Sequence, residues 1–409
     1  MTMIGLRFVV ALPIAVIASF FPQEVERWRP VSEASLYTGI ITGVFGSTAI
    51  LGSIASSQWV INDIGTRRLL CLTVFLLAMS TILFGCLGYT SSWPGFISLS
   101  IIIRLVQGFA YGLTDVIVYG LGTAASSEQM GLASGLLELS FAIGGASGPA
   151  IGGILHKVGG FGLPLFVTGG VMLGYMMVVV SLLSSSDNVR SRVMVPLRDV
   201  INMWTVSTAF CGFLANMCLS ALVATLGAHL DRDFHMSPTI IGLVFLLTGI
   251  WYAMSCPLFG MLAELIGPRW VILLGLFAIS AGVVVIAVAH TLTQLLIGQV
   301  ISGIGLGSCF GSVYFDMSKE AELAGQPNSE ERNSTLYAIL SVFYNIGLMF
   351  GGIVGGAQAS VLGFSMATVI IGVMVGSVAT LYLVMSLLRI WYQHRLNINN
   401  TNNSNELTQ

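Results

Sequence analysis

GGASGPAIGG at 144–153 and GLMFGGIVGG at 347–356 are one pattern written twice, 203 positions apart. Glycine stands at the first, fifth, ninth and tenth positions of both strings, among otherwise apolar residues. Glycines spaced by four fall on one face of a helix and let a second helix come close, which is how membrane helices pack. Repetition of that device at a fixed interval points to an internally duplicated membrane protein, a construction common among transporters.

The composition agrees. Charged residues make up 8% and hydrophobic residues 55% of the 409, whereas soluble domains carry about 25% charged residues. So little charge cannot cover a water-facing surface, and most of this chain is expected to face lipid. The net charge of −2 says nothing about nucleic acid, but no basic run exists, so no nucleic acid is expected as a partner. Six cysteines, Cys71, Cys86, Cys211, Cys218, Cys256 and Cys309, lie in apolar stretches without CxxC or Cys/His spacing. They read as small packing residues, with no metal and no cofactor implied. No nucleophile–base set or nucleotide loop is evident, so the chain is not expected to be an enzyme.

A membrane span needs about 20 apolar residues. Twelve such runs are legible, at 4–22, 36–58, 69–90, 95–122, 134–155, 162–183, 200–226, 239–260, 270–289, 292–315, 335–358 and 364–391. The first resembles a signal peptide but, followed by eleven more, reads as a span. The fold class is therefore an all-α polytopic membrane protein of twelve transmembrane helices in two homologous six-helix bundles. The bundles occupy 1–183 and 200–391, joined by a polar loop at 184–199, SSSDNVRSRVMVPLRD. The Asn-rich tail, 392–409, is expected to be disordered. Eleven basic residues fall on one side, counting Arg7 at the start. Four, Arg27, Arg29, Lys157 and Arg232, fall on the other. That excess predicts both termini in the cytoplasm. The sequons at Asn333 and Asn399 would then lie on the unglycosylated side.

A second pair of sites carries nearly the same interval. VINDIGTRR (60–68) follows span 2 and GMLAELIGPRW (260–270) follows span 8, with Gly65 and Gly267 corresponding at 202. GMLAELIGPR resembles the loop signature of the major facilitator superfamily through Gly260, Leu262, Ala263, Glu264, Gly267 and Arg269. The first copy is degraded, with Gln58 in the opening position and the acid displaced to Asn62-Asp63. RLVQGFAYG (104–112) resembles the R-x-x-Q-G signature of the fourth helix, through Arg104, Gln107 and Gly108. GGASGPAIGG resembles the fifth-helix motif of proton-coupled antiporters, with Gly144, Gly148, Pro149, Gly152 and Gly153 in place. Longer strings, among them SFFPQEVERWRP and IIGLVFLLTGIWYAMSCPLFGML, resemble the vesicular amine transporter family and its polyamine branch. The acids that amine-carrying members place in spans 1, 7 and 10 are missing here: Val223 stands near one such position, and Asp316 lies at the end of span 10.

Ionisable groups embedded in lipid are costly and so are functional candidates. Glu138, Arg104 and Asp115 qualify. At 100° per residue, Glu138 and Gly145 differ by about 20°, while the Gly144/Gly148/Gly152 stripe is turned away by roughly 80–120°. Glu138 can therefore face a central cavity, exchange a proton and balance a cationic cargo. The alternative is a structural carboxylate satisfied by a hydroxyl or backbone group. Arg104 and Asp115 share a face but stand about 16 Å apart along the axis, so Arg104 is expected to meet another helix or water. The resemblance implies a part for it in proton coupling. Asn216, Gln299, Tyr344 and Asn345 are polar groups inside apolar spans, either contacting substrate or bonding helix to helix. Trp204, Trp251 and Tyr252 could form a cation cage. Glu264 and Arg269 are expected to form the conformational latch of the loop motif. The Gly-Pro motif, with its Pro149 kink, is expected to seal span 5 against span 8.

Three functions fit. The first is a secondary active transporter, a proton-coupled antiporter of small organic cations or polyamines, acting as a monomer whose partners are a small molecule, protons and the bilayer. The second carries a drug, an organic anion or a sugar. The third is a transport-inactive receptor or scaffold. A vesicle and the plasma membrane are both open as locations.

Overall fold

The computed structural model describes residues 2–58, 66–124, 130–182, 201–326 and 330–406, and these contain helices and turns but no strand. Span 1 is an α-helix, Thr2–Ala15, prolonged by a 3₁₀ turn, Val16–Ser19, and a short helix, Phe21–Glu26, follows it. Spans 2 to 6 are Val31–Gln58, Thr66–Gly85, Trp93–Ala124, Met130–Gly159 and Gly162–Leu182. Spans 7 to 12 are Met203–Phe234, Pro238–Ile266, Pro268–Ala287, Leu292–Leu323, Glu330–Leu362 and Phe364–Glu406. Among the described residues, eleven helices are long and apolar enough to cross a membrane. Span 5, 30 residues long, completes the set. Asn62, Asp63, Gly65 and the 184–199 loop lie outside the described residues. Span 12 runs on as helix to Glu406, where composition predicted disorder; no Gly or Pro interrupts 377–406.

Local chemistry explains several boundaries. Asn202 caps span 7, its side chain accepting from the backbone N–H groups of Trp204 and Thr205. Thr291 and Gln294 form a capping box at the start of span 10. Spans 8 and 9 begin with Pro238 and Pro268, in the first turn, where a missing N–H costs nothing. Between spans 8 and 9, Gly267 takes φ +96°, a conformation that side chains disfavour.

The twin glycine strings hold the bundles together, meeting span 8 as expected through Pro149 and Gly153 and span 1 through the glycine stripe. Gly144, Gly148 and Gly152 lie against the backbone of span 1 at Phe8, Leu12 and Val16. Gly347 and Gly351 lie in the same way against Phe213 and Met217 of span 7, with Gly355 on Ala221. Span 8 is met instead by the neighbouring face of span 5: Gly242 abuts the Pro149 carbonyl, Gly249 the Ala146 side chain, and Gly153 the Pro238 carbonyl. In the second copy, Gly352 abuts Gly39 and Gly43 of span 2, and Gly46 abuts Asn345 and Met349. Gly39 and Gly46 stand 203 residues before Gly242 and Gly249. The same two interfaces are thus built twice: spans 1–5 repeat as 7–11, and spans 5–8 repeat as 11–2. The latter pair joins the halves.

These inter-half contacts are closest towards one end of the molecule, the end at which even-numbered spans begin, called here the far face. At the near face, where span 1 begins, side chains rather than backbones meet across the halves. Large apolar side chains such as Leu51, Leu83, Ile102, Met177 and Leu381 point outward, as a lipid-facing surface requires.

Candidate functional site

A cavity of about 150 Å³ lies between the halves. Four of its lining residues are ionisable or phenolic and interlocked: Arg7 of span 1, Asp115 of span 4, Glu138 of span 5 and Tyr337 of span 11. Arg7 Nη1 donates to Asp115 Oδ1 at 2.5 Å, and Nη2 donates to Glu138 Oε1 at 3.0 Å and to the Tyr337 hydroxyl at 2.9 Å. Tyr337 in turn donates to Asp115 Oδ2 at 2.9 Å, and Ser341 donates to the same oxygen at 3.3 Å. Tyr252 of span 8 reaches Glu138 Oε2 at 3.4 Å. The guanidinium also lies over the rings of Tyr119, Phe141 and Tyr337, at 5.0, 5.2 and 5.6 Å. All four interlocked residues are buried. Charges so far from water persist only when paired, and here one cation serves two carboxylates. With all three charged, the cavity carries a net charge of −1.

Helix periodicity explains the convergence. Glu138 shares a face with Gly145, which also lines the cavity, while the glycine stripe turns to span 1. Gly144 and Gly148 bring span 1 within reach, and so place Arg7 between Glu138 and Asp115. Tyr119 stacks on Tyr337 at 3.5 Å between centroids and meets Tyr314 edge-on at 5.4 Å. This aromatic group from spans 4, 10 and 11 closes the near face beside the ion cluster.

Of the residues singled out in the sequence, Glu138, Asp115, Asn216, Gln299, Tyr344, Asn345 and Tyr252 all line the cavity. The Asn216 amide donates to the Tyr344 carbonyl at 2.7 Å, and the Asn345 amide to the Ser341 carbonyl at 2.8 Å. Both thus also tie helix to helix or turn to turn. Gln299 is hydrogen-bonded to Thr248 and keeps one buried amide atom without a partner.

Arg104 does not reach the cavity. It is buried between the rings of Phe45 and Phe84, at 5.6 and 5.0 Å, and its Nε has no hydrogen-bond partner. The expected partner helices are therefore spans 2 and 3, and they offer phenyl faces rather than an acceptor. The expected latch also changes partner. Arg269 pairs with Glu320, and with Asp316 at 3.6 Å, rather than with Glu264, which is exposed. Trp204 lies beneath Arg269 and Arg389, at 4.9 and 4.4 Å. It is a platform for that cluster, not part of a cage, and Trp251 is also absent from the cavity lining. A Cβ at Gly260 would make only an ordinary contact, 3.9 Å from the Gly311 carbonyl, unlike those at the packing glycines.

Arg7 is the residue that sequence reasoning misplaced: it was counted with the charges flanking the spans. The signal was present, because Arg7 stands three residues inside the apolar run that starts at Ile4. Tyr337, Ser341, Tyr119 and Phe141 carried no signal of their own. Among the described residues no group of three His, Cys, Asp or Glu could hold a metal ion.

The sequence profile of the Major Facilitator Superfamily matches residues 3–199 and 208–401. The chain belongs to that superfamily. It is 23% identical over 373 residues to the MFS-type transporter SLC18B1 of Rattus norvegicus, covering 88% of this chain and 79% of that one. The Homo sapiens SLC18B1 is 25% identical over 388 residues, with the same coverage. The chromaffin granule amine transporter of Rattus norvegicus is 25% identical over 321 residues, covering 76% of this chain and 58% of its own length. In fold, the chain is similar to the human organic anion transporter MFSD10, with a TM-score of 0.71 and 13% identity over 93% of this chain and 98% of the other. Two bundles around a central cavity are the construction of this fold, and the chain is a multi-pass membrane transporter of this superfamily, not an enzyme.

Proposed function

We propose that the protein is a proton-coupled antiporter of small organic cations, working as a monomer by alternating access, with both termini in the cytoplasm. The observation that carries this reading is the charge balance of the cavity: two buried carboxylates, Asp115 and Glu138, against one guanidinium. A site with one negative charge to spare can take a proton or a cation, and exchange of the two is antiport. Tyr119, Phe141, Tyr337 and Tyr252 supply the aromatic faces that favour ammonium and guanidinium groups. The amine transporters among the relatives support the cargo class, and the excess of basic residues on one side supports the orientation.

The test is uptake of radiolabelled spermidine and of monoamines into proteoliposomes holding an inward-acidic gradient. Gradient-dependent uptake that disappears in Glu138→Gln is the expected result. Uptake indifferent to the gradient, or intact in Glu138→Gln, refutes the coupling. Arg7 favours a second reading, transport of an organic anion. Competition by anionic compounds with no effect of spermidine would establish that reading instead. An absence of flux for every compound would leave a receptor or scaffold.

A further inference from the structure

Arg7 occupies the cavity as a ligand would. Its guanidinium is held by two carboxylates and three aromatic rings, and all five groups come from other helices. As an occupant it is incompletely satisfied, because its buried Nε has no hydrogen-bond partner. It also leaves most of the cavity unfilled. The empty space runs past Glu138 to Gln299, 1% exposed, whose amide Nε2 has no partner while its oxygen accepts from Thr248. The Thr248 hydroxyl beside that amide can donate or accept, so Gln299 can present either its oxygen or its nitrogen to the cavity.

We infer that Arg7 is an internal stand-in for the cargo: Asp115, Glu138 and the rings of Tyr119, Phe141 and Tyr337 form a guanidinium and primary-ammonium site that Arg7 and an external cation fill in turn. Arg7 has the means to yield the place. Its guanidinium ends a long, rotatable side chain and is held by the contacts that a competing cation would replace. When a cation enters, the two carboxylates keep a counter-charge and Arg7 is released to the near face. A second amine on the same molecule would reach towards the Gln299 oxygen, so elongated diamines fit better than compact monoamines. This inference deepens the organic-cation reading and rests on the same cavity, but its test requires no transport.

The experiment is thermal denaturation of purified full-length protein in nanodiscs, titrated with 0–20 mM guanidinium chloride against sodium chloride of equal ionic strength. A ligand that binds only the folded state raises the melting temperature. Arg7→Ala empties the site, so guanidinium should raise its melting temperature, while the wild-type protein, self-occupied, should show no rise. Adding Asp115→Asn and Glu138→Gln to Arg7→Ala should abolish the response. A folded Arg7→Ala protein that responds no more than wild type overturns the inference. Should Arg7→Ala fail to fold, Arg7→Gln purified in 5 mM guanidinium supplies the decision: recovery with guanidinium but not with sodium supports the site, and recovery with neither refutes it. Guanidinium binding without any amine flux would remove the transport reading and leave the site. Amine flux without guanidinium binding would do the reverse.

Discussion

Replacing Tyr337 by Phe removes a single oxygen from the place where the halves meet. That oxygen accepts from Arg7 at 2.9 Å and donates to Asp115 at 2.9 Å, and both partners belong to the other half. The ring stays, stacked on Tyr119 at 3.5 Å, so packing is kept. Hydrogen bonds to charged groups contribute about 1.5–3 kcal/mol each. The loss is partly offset, because Asp115 keeps Arg7 Nη1 and Ser341, and Arg7 Nη2 keeps Glu138. A net loss of about 2 kcal/mol from the closed near face shifts the equilibrium towards opening about 30-fold. Gly145→Cys gives a reporter, since Gly145 lines the cavity and a Cβ there meets nothing within 4 Å. In a background with Cys71, Cys86, Cys211, Cys218, Cys256 and Cys309 replaced, the rate of alkylation of Gly145→Cys by a polar maleimide reports water access from the near face. Tyr337→Phe should raise that rate by about one to two orders of magnitude. An unchanged rate in a folded Tyr337→Phe protein would refute the claim that these bonds hold the near face shut.

Gly148→Ala puts a methyl at about 3.0 Å from the Ala15 side chain and the Leu12 carbonyl, closer than packing allows. It should cost about 1–3 kcal/mol and lower the melting temperature, while Gly145→Ala is neutral; equal melting temperatures would be evidence against the helix contact. Glu320→Gln leaves Arg269 and Arg389 facing one another over Trp204. A loss of about 3 kcal/mol, read by thermal denaturation, should accompany slower turnover with little change in apparent cargo affinity. At the far face, partial burial and the nearby Asp231 push the Glu26 carboxyl up to about 7, against the opposing pull of Arg232. Folded protein therefore holds this proton more tightly than unfolded chain. Stability from this group is fullest below about pH 4.5 and is lost as pH rises to about 7. Glu26→Gln should flatten that part of the pH–stability profile, and parallel profiles would dismiss the assignment.

Much of the architecture was legible because glycine spacing encodes helix contacts directly. Gly144, Gly148 and Gly152 announced a close neighbour, and their copies announced the second half. Periodicity fixes which face a residue occupies but not which helix covers that face, which is why the stripe meets span 1 while Pro149 and Gly153 of the same motif meet span 8. The same rule put Glu138 on an inward face. It could not supply Arg104 with its surroundings, because Phe45 and Phe84 arrive from other spans with no distinguishing spacing. Nor could it pair Arg269 with Glu320, 51 residues away in sequence. Arg7 was obscured for a different reason. Basic residues near a chain start usually flank a span, and only its partners, 108 and 131 residues on, show that it lies within one.

The duplication is exact in backbone contacts and broken in charge. The position 203 residues after Glu138 is Ser341, which donates to Asp115. The first half thus supplies every charge in the cavity, Arg7, Asp115 and Glu138. The second half supplies neutral groups, Tyr337, Ser341 and Tyr252. Separating the halves at the near face leaves Arg7 with both of its carboxylates, because all three move together. What breaks is a set of hydrogen bonds made by hydroxyls, Tyr337 accepting from Arg7 and Tyr337, Ser341 and Tyr252 donating to the carboxylates, which water replaces. Rupture of a buried ion pair would cost about 3–5 kcal/mol, whereas exchanging a hydrogen bond to a charged group for one to water costs about 1.5–3 kcal/mol. Across the far face the halves touch backbone to backbone, at Gly39 with Gly352 and Gly153 with Pro238, and at its rim Gln23 donates to Asp231 at 2.7 Å beside Glu26. A carrier that must open and close repeatedly is served by this division: the ion cluster travels intact within one half, and at the near face the other half is joined to it by hydroxyl bonds that water or cargo can replace.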